Sequence, residues 1–430
     1  MIEPPDPASL DAVNEVAAED LPRFAPVHYD REQPAVEDVE AAAVDALDSV
    51  VGLADLSPGA RVAVTAGSRG IHDMPAVLRT VVAELQERGL DPFVLPAMGS
   101  HGGATAEGQV ETLASLGVTE ESMGCEIVSS MAVERVGDDD GRAVYAARDA
   151  LEADAVLLAN RVKLHTDFSG DVESGLCKMA VIGLGKQRGA EATHKAALAG
   201  TFSEVIRERA RILFEEVPIV GGVALVENAD ERAAAIEGFD VGEILEREPE
   251  LLERSRELLG TLPVEDLDLL VVDELGKEVS GTGMDTNVIG RMLMHGEPEP
   301  NSPDYTRIYV RSVTEGSHGN AIGMGLADYA HRDLVEDLDL TDTYVNVITS
   351  GEPVRARIPV ILPTDRLALT TAYSGCGVVD PADMRIARIE NTLDLDRFWV
   401  SEPVVDELRD RPDASVGTPE PLVFEGDDLA

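Results

Sequence analysis

The feature that most constrains the fold is a buried strand followed by a glycine turn, a helix and a second strand. The run Arg61–Ala66 is almost continuously apolar, which predicts a strand covered on both faces, and Gly67–Gly70 is a turn. Apolar residues within Pro75–Arg88 have helical spacing, Gly89 is a typical helix stop, and Pro92–Pro96 is a short strand. This alternation predicts an α/β fold with a largely parallel, doubly wound sheet.

The same alternation continues along the chain and divides it into two α/β domains. Further strands are predicted at Ala153–Asn160, Pro218–Glu227, Leu267–Asp273, Arg307–Val313, 343–349, 357–362 and 366–371, and further helices at Val36–Leu53, Ala190–Glu208, 241–262 and Ala321–Val335. Because the strand pattern restarts after the acidic stretch 241–262, we expect one domain at 1–262 and another at 263–430. Ligands of such sheets bind at the carboxyl ends of strands, so the loops that follow strands are the candidate site.

The charge of the chain excludes several classes of protein. Its 430 residues include 82 acidic and 35 basic side chains, a net charge of −47, which argues against a nucleic-acid partner. Since apolar periodicity argues against disorder, we interpret the charge as adaptation to molar salt, where the Debye length is about 3 Å. No run of 18 apolar residues predicts a membrane span, the first 20 residues lack an export pattern, and three distant cysteines fit a reducing compartment. We therefore expect a cytoplasmic protein.

Lysine is rare in this chain and unevenly placed. Four of the five lysines fall within 33 residues, at Lys163, Lys178, Lys186 and Lys195, and the fifth is Lys277. Since arginine or acidic residues stand almost everywhere else, a lysine that remains is expected to have a function. The alternative is chance clustering.

Three histidines lie in or near glycine-rich loops that follow predicted strands. A neutral imidazole both accepts and donates protons near neutral pH, so His101 and His165 could form an acid/base pair on one substrate. His194, near the start of a helix and 16 residues after Lys178, could be a metal ligand. The alternative for each is a hydrogen-bonded histidine without chemistry.

Anionic groups are the ligands that the remaining loop residues favour. In so acidic a chain, Arg69 and Lys178 would suit a substrate carboxylate or a cofactor phosphate. Gly183–Lys186 is similar to part of a phosphate-binding loop, but Gln187 stands where serine or threonine is required, which argues against an ATPase. No zinc-type ligand spacing is present, so most ligands of any bound metal would come from a cofactor.

Several of these segments together resemble one known family, the nickel-pincer lactate racemases. The matching segments are Gly67–Arg69, Met98–His101, Lys163–Gly170, Ser174–Met179 and Thr193–His194, in the order of that family. The resemblance covers about residues 10–400, and the spacing of 16 from Lys178 to His194 is its most specific element. It implies two α/β domains with the active site in the cleft between them.

The resemblance also implies a cofactor and roles for the site residues. The family's cofactor is a nickel-pincer nucleotide, a nicotinic-acid-derived mononucleotide that holds nickel through sulfur, carbon and sulfur. By the resemblance it is tethered as a thioamide to Lys178, and His194 is the protein ligand of nickel. His101 and His165 match the acid/base pair. The implied reaction is racemisation or epimerisation of a 2-hydroxy acid by hydride transfer, with cofactor-biosynthesis proteins as partners.

Two further positions follow from the same resemblance. Arg69, with Ser68 beside it, matches the loop that binds substrate or cofactor, and Arg291 is the candidate for a substrate-binding residue of the second domain. In the lactate racemases an acidic residue stands shortly before the arginine. This chain departs from them, because it has Ala66–Ser68 at that place. This departure concerns the substrate more than the cofactor, so a larger 2-hydroxy acid or a sugar acid is as plausible as lactate.

Two other interpretations remain open. One is a cofactor-free hydro-lyase or isomerase that uses His101 and His165 directly on an anionic hydroxy acid. The other is a non-catalytic protein that binds an anionic metabolite. The nickel-pincer racemase differs from both, because it requires a modified Lys178 and bound nickel. The identity of the 2-hydroxy acid and the oligomeric state stay open.

Overall fold

The chain forms two compact units, one of which is discontinuous in sequence. The computed structural model describes residues 5–14, 16–31, 33–197 and 200–430, with the backbone alone for residues 349 and 350. Gln33–Leu259 form the unit that we call the lysine unit, and the described part of Met1–Glu32 with Gly260–Ala430 forms the discontinuous unit. The expected boundary between residues 262 and 263 lies close to the observed one. The N-terminal residues, which were expected in the first domain, belong to the discontinuous unit instead, because the strand Phe24–Tyr29 pairs with Arg397–Ser401.

Strands and helices alternate along most of the chain. The strands are β1 (Phe24–Tyr29), β2 (Arg61–Ala66), β3 (Asp91–Pro96), β4 (Val133–Asp139), β5 (Arg142–Ala147), β6 (Ala155–Arg161), β7 (Ile219–Glu227), β8 (Ala233–Asp240), β9 (Asp266–Leu275), β10 (Asp304–Val313), β11 (Tyr329–His331), β12 (Val360–Leu362), β13 (Ile386–Ile389), β14 (Arg397–Ser401), β15 (Ala414–Val416), β16 (Phe424–Glu425) and β17 (Asp428–Leu429). The α-helices are α1 (Pro7–Asp11), α2 (Val39–Asp48), α3 (Met74–Glu87), α4 (Ala106–Ser115), α5 (Glu120–Met123), α6 (Arg148–Leu151), α7 (Leu176–Lys178), α8 (Lys186–Ala197), α9 (Phe202–Glu216), α10 (Ile244–Leu258), α11 (Thr286–Ile289), α12 (Arg332–Glu336), α13 (Leu340–Ser350), α14 (Asp365–Ser374) and α15 (Glu402–Arg409).

The sheet of the lysine unit has the strand order β3-β2-β6-β7-β8, with β8 antiparallel and the other strands parallel. Val62 and Val64 of β2 pack into one apolar cluster, and Ala63 packs into a second cluster. A strand buried on both faces needs an apolar residue at every position, which explains the continuous run from which it was predicted. The predicted α/β fold with largely parallel sheets is confirmed.

The discontinuous unit contains a mixed sheet of order β12-β11-β10-β9-β13-β14-β1-β15. In this sheet β12, β11, β10, β9 and β13 run parallel to one another, while β14, β1 and β15 pair antiparallel with their neighbours. Its central strands are covered by an apolar cluster that includes Leu270, Val272 and Val310. Within the described ranges, no helix has the length and apolar character needed to cross a bilayer.

Three predictions for the discontinuous unit are wrong. Instead of a helix, Ala321–Val335 contains a 3-10 turn, β11 and most of α12, and instead of strands, 343–349 and 366–371 lie in α13 and α14. The β-branched residues of these two segments favour strands, but helix capping favours the other outcome. Asp339 accepts the first backbone N–H groups of α13, and Thr364 does the same for α14.

Two predictions concern segments that fall partly outside the described residues. The helix expected at 190–208 includes Leu198 and Ala199, which lie outside them; α8 ends before these residues and α9 begins after them. Residues 1–4 and Glu15, part of the stretch examined for an export pattern, also lie outside the described residues.

Candidate functional site

The candidate site lies at the carboxyl edge of the sheet in the lysine unit. Ser68 and Arg69 follow β2, while His101 follows β3 and His165 follows β6. Because β2, β3 and β6 are parallel neighbours, the loops after them emerge at one edge of the sheet.

His101 is an exposed residue whose ring is held on one side by a hydroxyl group. Its Nδ1 atom contacts Ser68 Oγ closely. Partial burial of the imidazole lowers the pKa of His101, and the positive charges of Arg69 and Lys178 lower that pKa further. His101 is therefore a neutral base at neutral pH, and both cations lie near enough to act on it.

The loop that carries His165 is closed at its base and braced by a buried acid. Lys163 and Ser174 form an antiparallel bridge, with N···O distances of 2.9 and 3.2 Å. Within the loop, Glu173 Oε2 accepts the N–H of His165 at 2.5 Å, and its Oε1 accepts the N–H of Gly170 at 3.1 Å. Burial raises the pKa of Glu173 to about 7, although these N–H groups oppose the rise. The acid thus fixes the loop from inside.

A set of stacked rings, which we call the aromatic column, joins two of the histidines. The ring of His165 stacks on Phe168 with centroids 4.4 Å apart, and Phe168 stacks on Phe202 at 4.8 Å. Phe202 meets the ring of His194 edge-on at 5.0 Å. Lys178 Nζ lies 5.4 Å from the centroid of Phe168, within cation–π range. The column therefore brings both histidines and Lys178 together.

Lys178 ends the short helix α7, whose start is fixed by a buried carboxylate. Glu248 Oε2 accepts the N–H of Cys177 at 2.9 Å, and a Cβ atom at Gly175 would lie 2.5 Å from the Glu248 carboxyl carbon. Only glycine fits there. Burial lowers the pKa of Lys178 to about 8, against the opposing effect of the Asp167 carboxylate. A larger neutral fraction than that of an ordinary lysine makes this amine a nucleophile.

His194 lies in α8 with an exposed side chain. Burial of part of its ring lowers the pKa of His194, and the Lys178 ammonium lowers it further. Neutral imidazole is the form that binds metal ions. Over the part of the chain that the structure describes, no three or more His, Cys, Asp or Glu side chains are grouped to hold a metal ion.

A cavity of about 520 Å³, within the volume range of small-molecule sites, is lined by Arg69 but not by Lys178 or by the three histidines of the cluster. Gly67, Arg69 and Asn160 line it where β2 and β6 end. Arg69 is exposed and contributes the positive charge of this wall. Glu231 also lines the cavity, so the anion-binding group of this region is Arg69 itself rather than the cavity as a whole.

Of the residues to which the resemblance assigns a role, all but Arg291 belong to this cluster, whereas the fifth lysine, Lys277, lies in the discontinuous unit. Ser68 was expected in a loop that binds substrate or cofactor, and its hydroxyl contacts the ring of His101. Arg291 lies in the discontinuous unit, where its guanidinium donates to Asp328 Oδ2 at 2.7 Å and to the Leu326 carbonyl at 2.8 Å, besides two further carbonyls. These bonds hold the guanidinium within the discontinuous unit, and the expected role of Arg291 in substrate binding stays a prediction.

The residues that hold the site together were not found from the sequence. They are Phe168, Phe202, Glu173, Glu248 and Gln109, whose buried amide donates to the Gly99 carbonyl in the His101 loop. The usable signal was the scarcity of aromatic residues, 4% of the chain, because Phe168 lies three residues after His165. Glu173 and Glu248 gave no signal among 82 acidic residues.

Comparison with known proteins gives a likeness in fold. No model of a protein family matches the chain, and no curated protein matches it. A solved structure does match, that of the lactate racemase apoprotein from Thermoanaerobacterium thermosaccharolyticum, with a TM-score of 0.52 and 12% sequence identity. The match covers 86% of this chain and 99% of that chain. At this identity the likeness shows the fold.

Proposed function

We propose that the protein is a racemase or epimerase of a 2-hydroxy acid and uses a nickel-pincer nucleotide tethered to Lys178. The observation that carries the proposal is the surroundings of Lys178. Its ammonium acts on the pKa of His101 and of His194, and it lies over Phe168, on which His165 stacks. The likeness in fold to a lactate racemase apoprotein supports the same proposal.

The side chains present suit such a group. A pKa of about 8 leaves Lys178 partly neutral at neutral pH, as formation of a thioamide requires. His194 offers one exposed, neutral imidazole, a nitrogen ligand that suits nickel. A single protein ligand would leave the other nickel positions to the cofactor. Arg69, beside the cavity, suits a phosphate or a carboxylate.

In the proposed reaction the histidines move the hydroxyl proton of the substrate. When bound at Lys178, the cofactor would supply a reversible hydride acceptor for the α-hydrogen of the 2-hydroxy acid. Neutral His101 can accept the hydroxyl proton at Nε2, because the Ser68 hydroxyl can accept a hydrogen bond from Nδ1–H. His165 Nδ1 accepts the N–H of Asp167 at 3.0 Å, so its neutral ring carries hydrogen on Nε2 and can donate a hydrogen bond to the substrate oxygen; to serve as the second base it would have to take the other tautomer. Two such groups would serve the two faces of the substrate.

Intact mass spectrometry with nickel quantification tests the proposal. The protein would be co-expressed with the cofactor-biosynthesis proteins and purified in molar salt. We expect a covalent adduct at Lys178 and stoichiometric nickel. Lys178→Ala should lose both, whereas the matched variant Lys195→Ala, altered at an exposed lysine of α8, should keep both.

A further variant, at His194, separates attachment of the cofactor to Lys178 from binding of nickel. His194→Ala should keep the adduct mass and lose most of the nickel. Nickel retained by Lys178→Ala would overturn the tether assignment. A chain that stays unmodified and nickel-free after co-expression would overturn the proposal and favour a cofactor-free hydro-lyase or a metabolite-binding protein.

A further inference from the structure

Lys186 has a backbone and an environment that both cost free energy. Its side chain is fully buried, and at the start of α8 it has a φ of 52°, in the left-handed region that L residues rarely adopt. Burial lowers the pKa of Lys186 to about 8. An arrangement of this kind persists only where the surrounding structure compensates for it.

The compensation comes from a chain of hydrogen bonds that ends in the loop of His101. Lys186 Nζ donates to the Pro96 carbonyl at 2.5 Å and to Gln109 Oε1 at 2.9 Å. Gln109 is also fully buried, and its Nε2 donates to the carbonyls of Gly99 at 3.0 Å and His101 at 3.4 Å. Lys186 is thereby connected through one amide to the backbone on both sides of Ser100.

The same loop packs tightly against the segment that joins Lys178 to Lys186. A Cβ atom at Gly183 would lie 2.6 Å from the Ala97 carbonyl oxygen, and one at Gly99 would lie 3.1 Å from Ile182. Gly99 also has a φ of 60°. These approaches leave no room for the loop to move toward the segment, while the bonds of Gln109 prevent movement away from it.

We propose that Lys186 and Gln109 are positioning residues that hold His101 in place relative to Lys178. Neither side chain is assigned contact with a reacting atom; both act through the backbone of the His101 loop. The importance of that position rests on the proposed function, but the positioning can be measured without cofactor or substrate.

The experiment compares Lys186→Met, Gln109→Met and the double variant by NMR of ring-labelled histidine and by amide hydrogen exchange. Both single variants should move the pKa of His101 up toward its ordinary value and speed exchange of the His101 amide at least about tenfold. Since Gln109 is uncharged, its replacement alters the pKa through position alone. The double variant should match the single ones, because the two residues form one link.

The matched control is Lys195→Met, which removes an exposed lysine from the same helix and should leave both signals unchanged. Unchanged signals in Gln109→Met, or effects that add in the double variant, would overturn the proposal. Should a variant fail to fold, exchange in the unaltered protein decides. The amides of His101 and Ala104, which donate to Met98 and Ser100 at 3.1 Å, should exchange as slowly as those of β3, and exchange at open-loop rates would overturn the proposal.

These outcomes are separate from the test of the proposed function. If Lys178 stays unmodified after co-expression while His101 is displaced in both variants, the proposed racemase function fails and the positioning role of Lys186 and Gln109 stands. If Lys178 carries the cofactor while His101 does not move in either variant, the proposed function stands and the positioning role fails.

Discussion

The two histidine-bearing loops of the lysine unit are held in opposite ways. The loop of His101 is fixed through its backbone by buried side chains from α4 and α8, and its ring touches Ser68. The loop of His165 is fixed by its own Glu173, and its ring is engaged on one face by Phe168. The His101 loop is therefore held by buried side chains of other elements, whereas the His165 loop is held by an acid of its own and by the stacking of its ring on Phe168.

This difference extends to the protons of the two rings. The pKa of His101 is lowered by burial and by two cations, and a hydroxyl that can donate or accept leaves its tautomer free. His165 has its Nδ1 atom committed to a backbone N–H. A pair of histidines in one site can thus be prepared for different roles by their surroundings.

The largest effect should come from removing each ring in turn. His101→Gln and His165→Gln should each slow racemisation of a 2-hydroxy acid by the loaded protein by roughly 10²–10⁴-fold, because one base cannot serve both faces. His28→Gln, at an exposed histidine of the discontinuous unit, is the control. Near-normal turnover in either variant would exclude that histidine and remove the basis for comparing the loops.

Removing Phe168 should disturb one loop and spare the other. Phe168→Ala should lower the free energy of unfolding by about 3–5 kcal/mol and change the ring resonances of His165 and His194, while those of His101 stay in place. Phe239→Ala, at another buried phenylalanine, should cost similar stability without moving His165. A shift of His101 as large as that of His165 would mean that the loops are not held independently.

Glu173 should make stability depend on pH through the His165 loop. Because burial raises its pKa to about 7, the folded chain keeps the proton that the unfolded chain releases near pH 4.5. Its stabilising contribution is present below that pH and is lost as the pH rises to 7, about 3 kcal/mol in all.

Unfolding of the unaltered protein and of Glu173→Gln in molar salt would be compared from pH 4.5 to 8. The advantage of the unaltered protein should shrink as the pH rises. Glu257→Gln, at an exposed glutamate of α10, should show no such trend. A constant difference across the range would mean that the buried acid keeps its ordinary pKa.

The smallest effect should appear in the electrostatics of the His101 loop. Arg69→Met removes a positive charge that lowers the pKa of His101, so this pKa should rise, and more at lower salt. The titration of His165 should stay as it is. Arg79→Met, at another exposed arginine of the lysine unit, is the control for NMR-detected titration. An equal rise in both histidines would show that the two loops share one electrostatic environment.

The sequence predicted best those elements whose pattern is dictated by burial. The bounds of β2 follow from an almost continuously apolar run, and the edge of its sheet then locates the loops of Arg69, His101 and His165. In α13 the pattern failed, because β-branched residues favour a strand while Asp339 at the start and Gly351 at the end favour a helix. Capping side chains outweighed propensity there.

The site was predictable in its reactive residues and not in their supports. Histidine and a rare lysine are distinctive residue types, so His194 and Lys178 could be chosen from the sequence. Gln109 and Glu173 are common types, and their importance arises from burial and from contacts across the sequence. Such contacts have no local pattern.

The discontinuous unit imposes an order on events during synthesis of the chain. Its strand β1 is made early, but β14 and β15, the strands on either side of it, are made only near the end of translation. Gln33–Leu259 form a compact unit that is complete before β14 and β15 are made, and the ribosome needs roughly 10–30 s at ordinary rates to add the remaining residues. The nascent unit with Lys178 would then be available to loading proteins before β1 has met its neighbours.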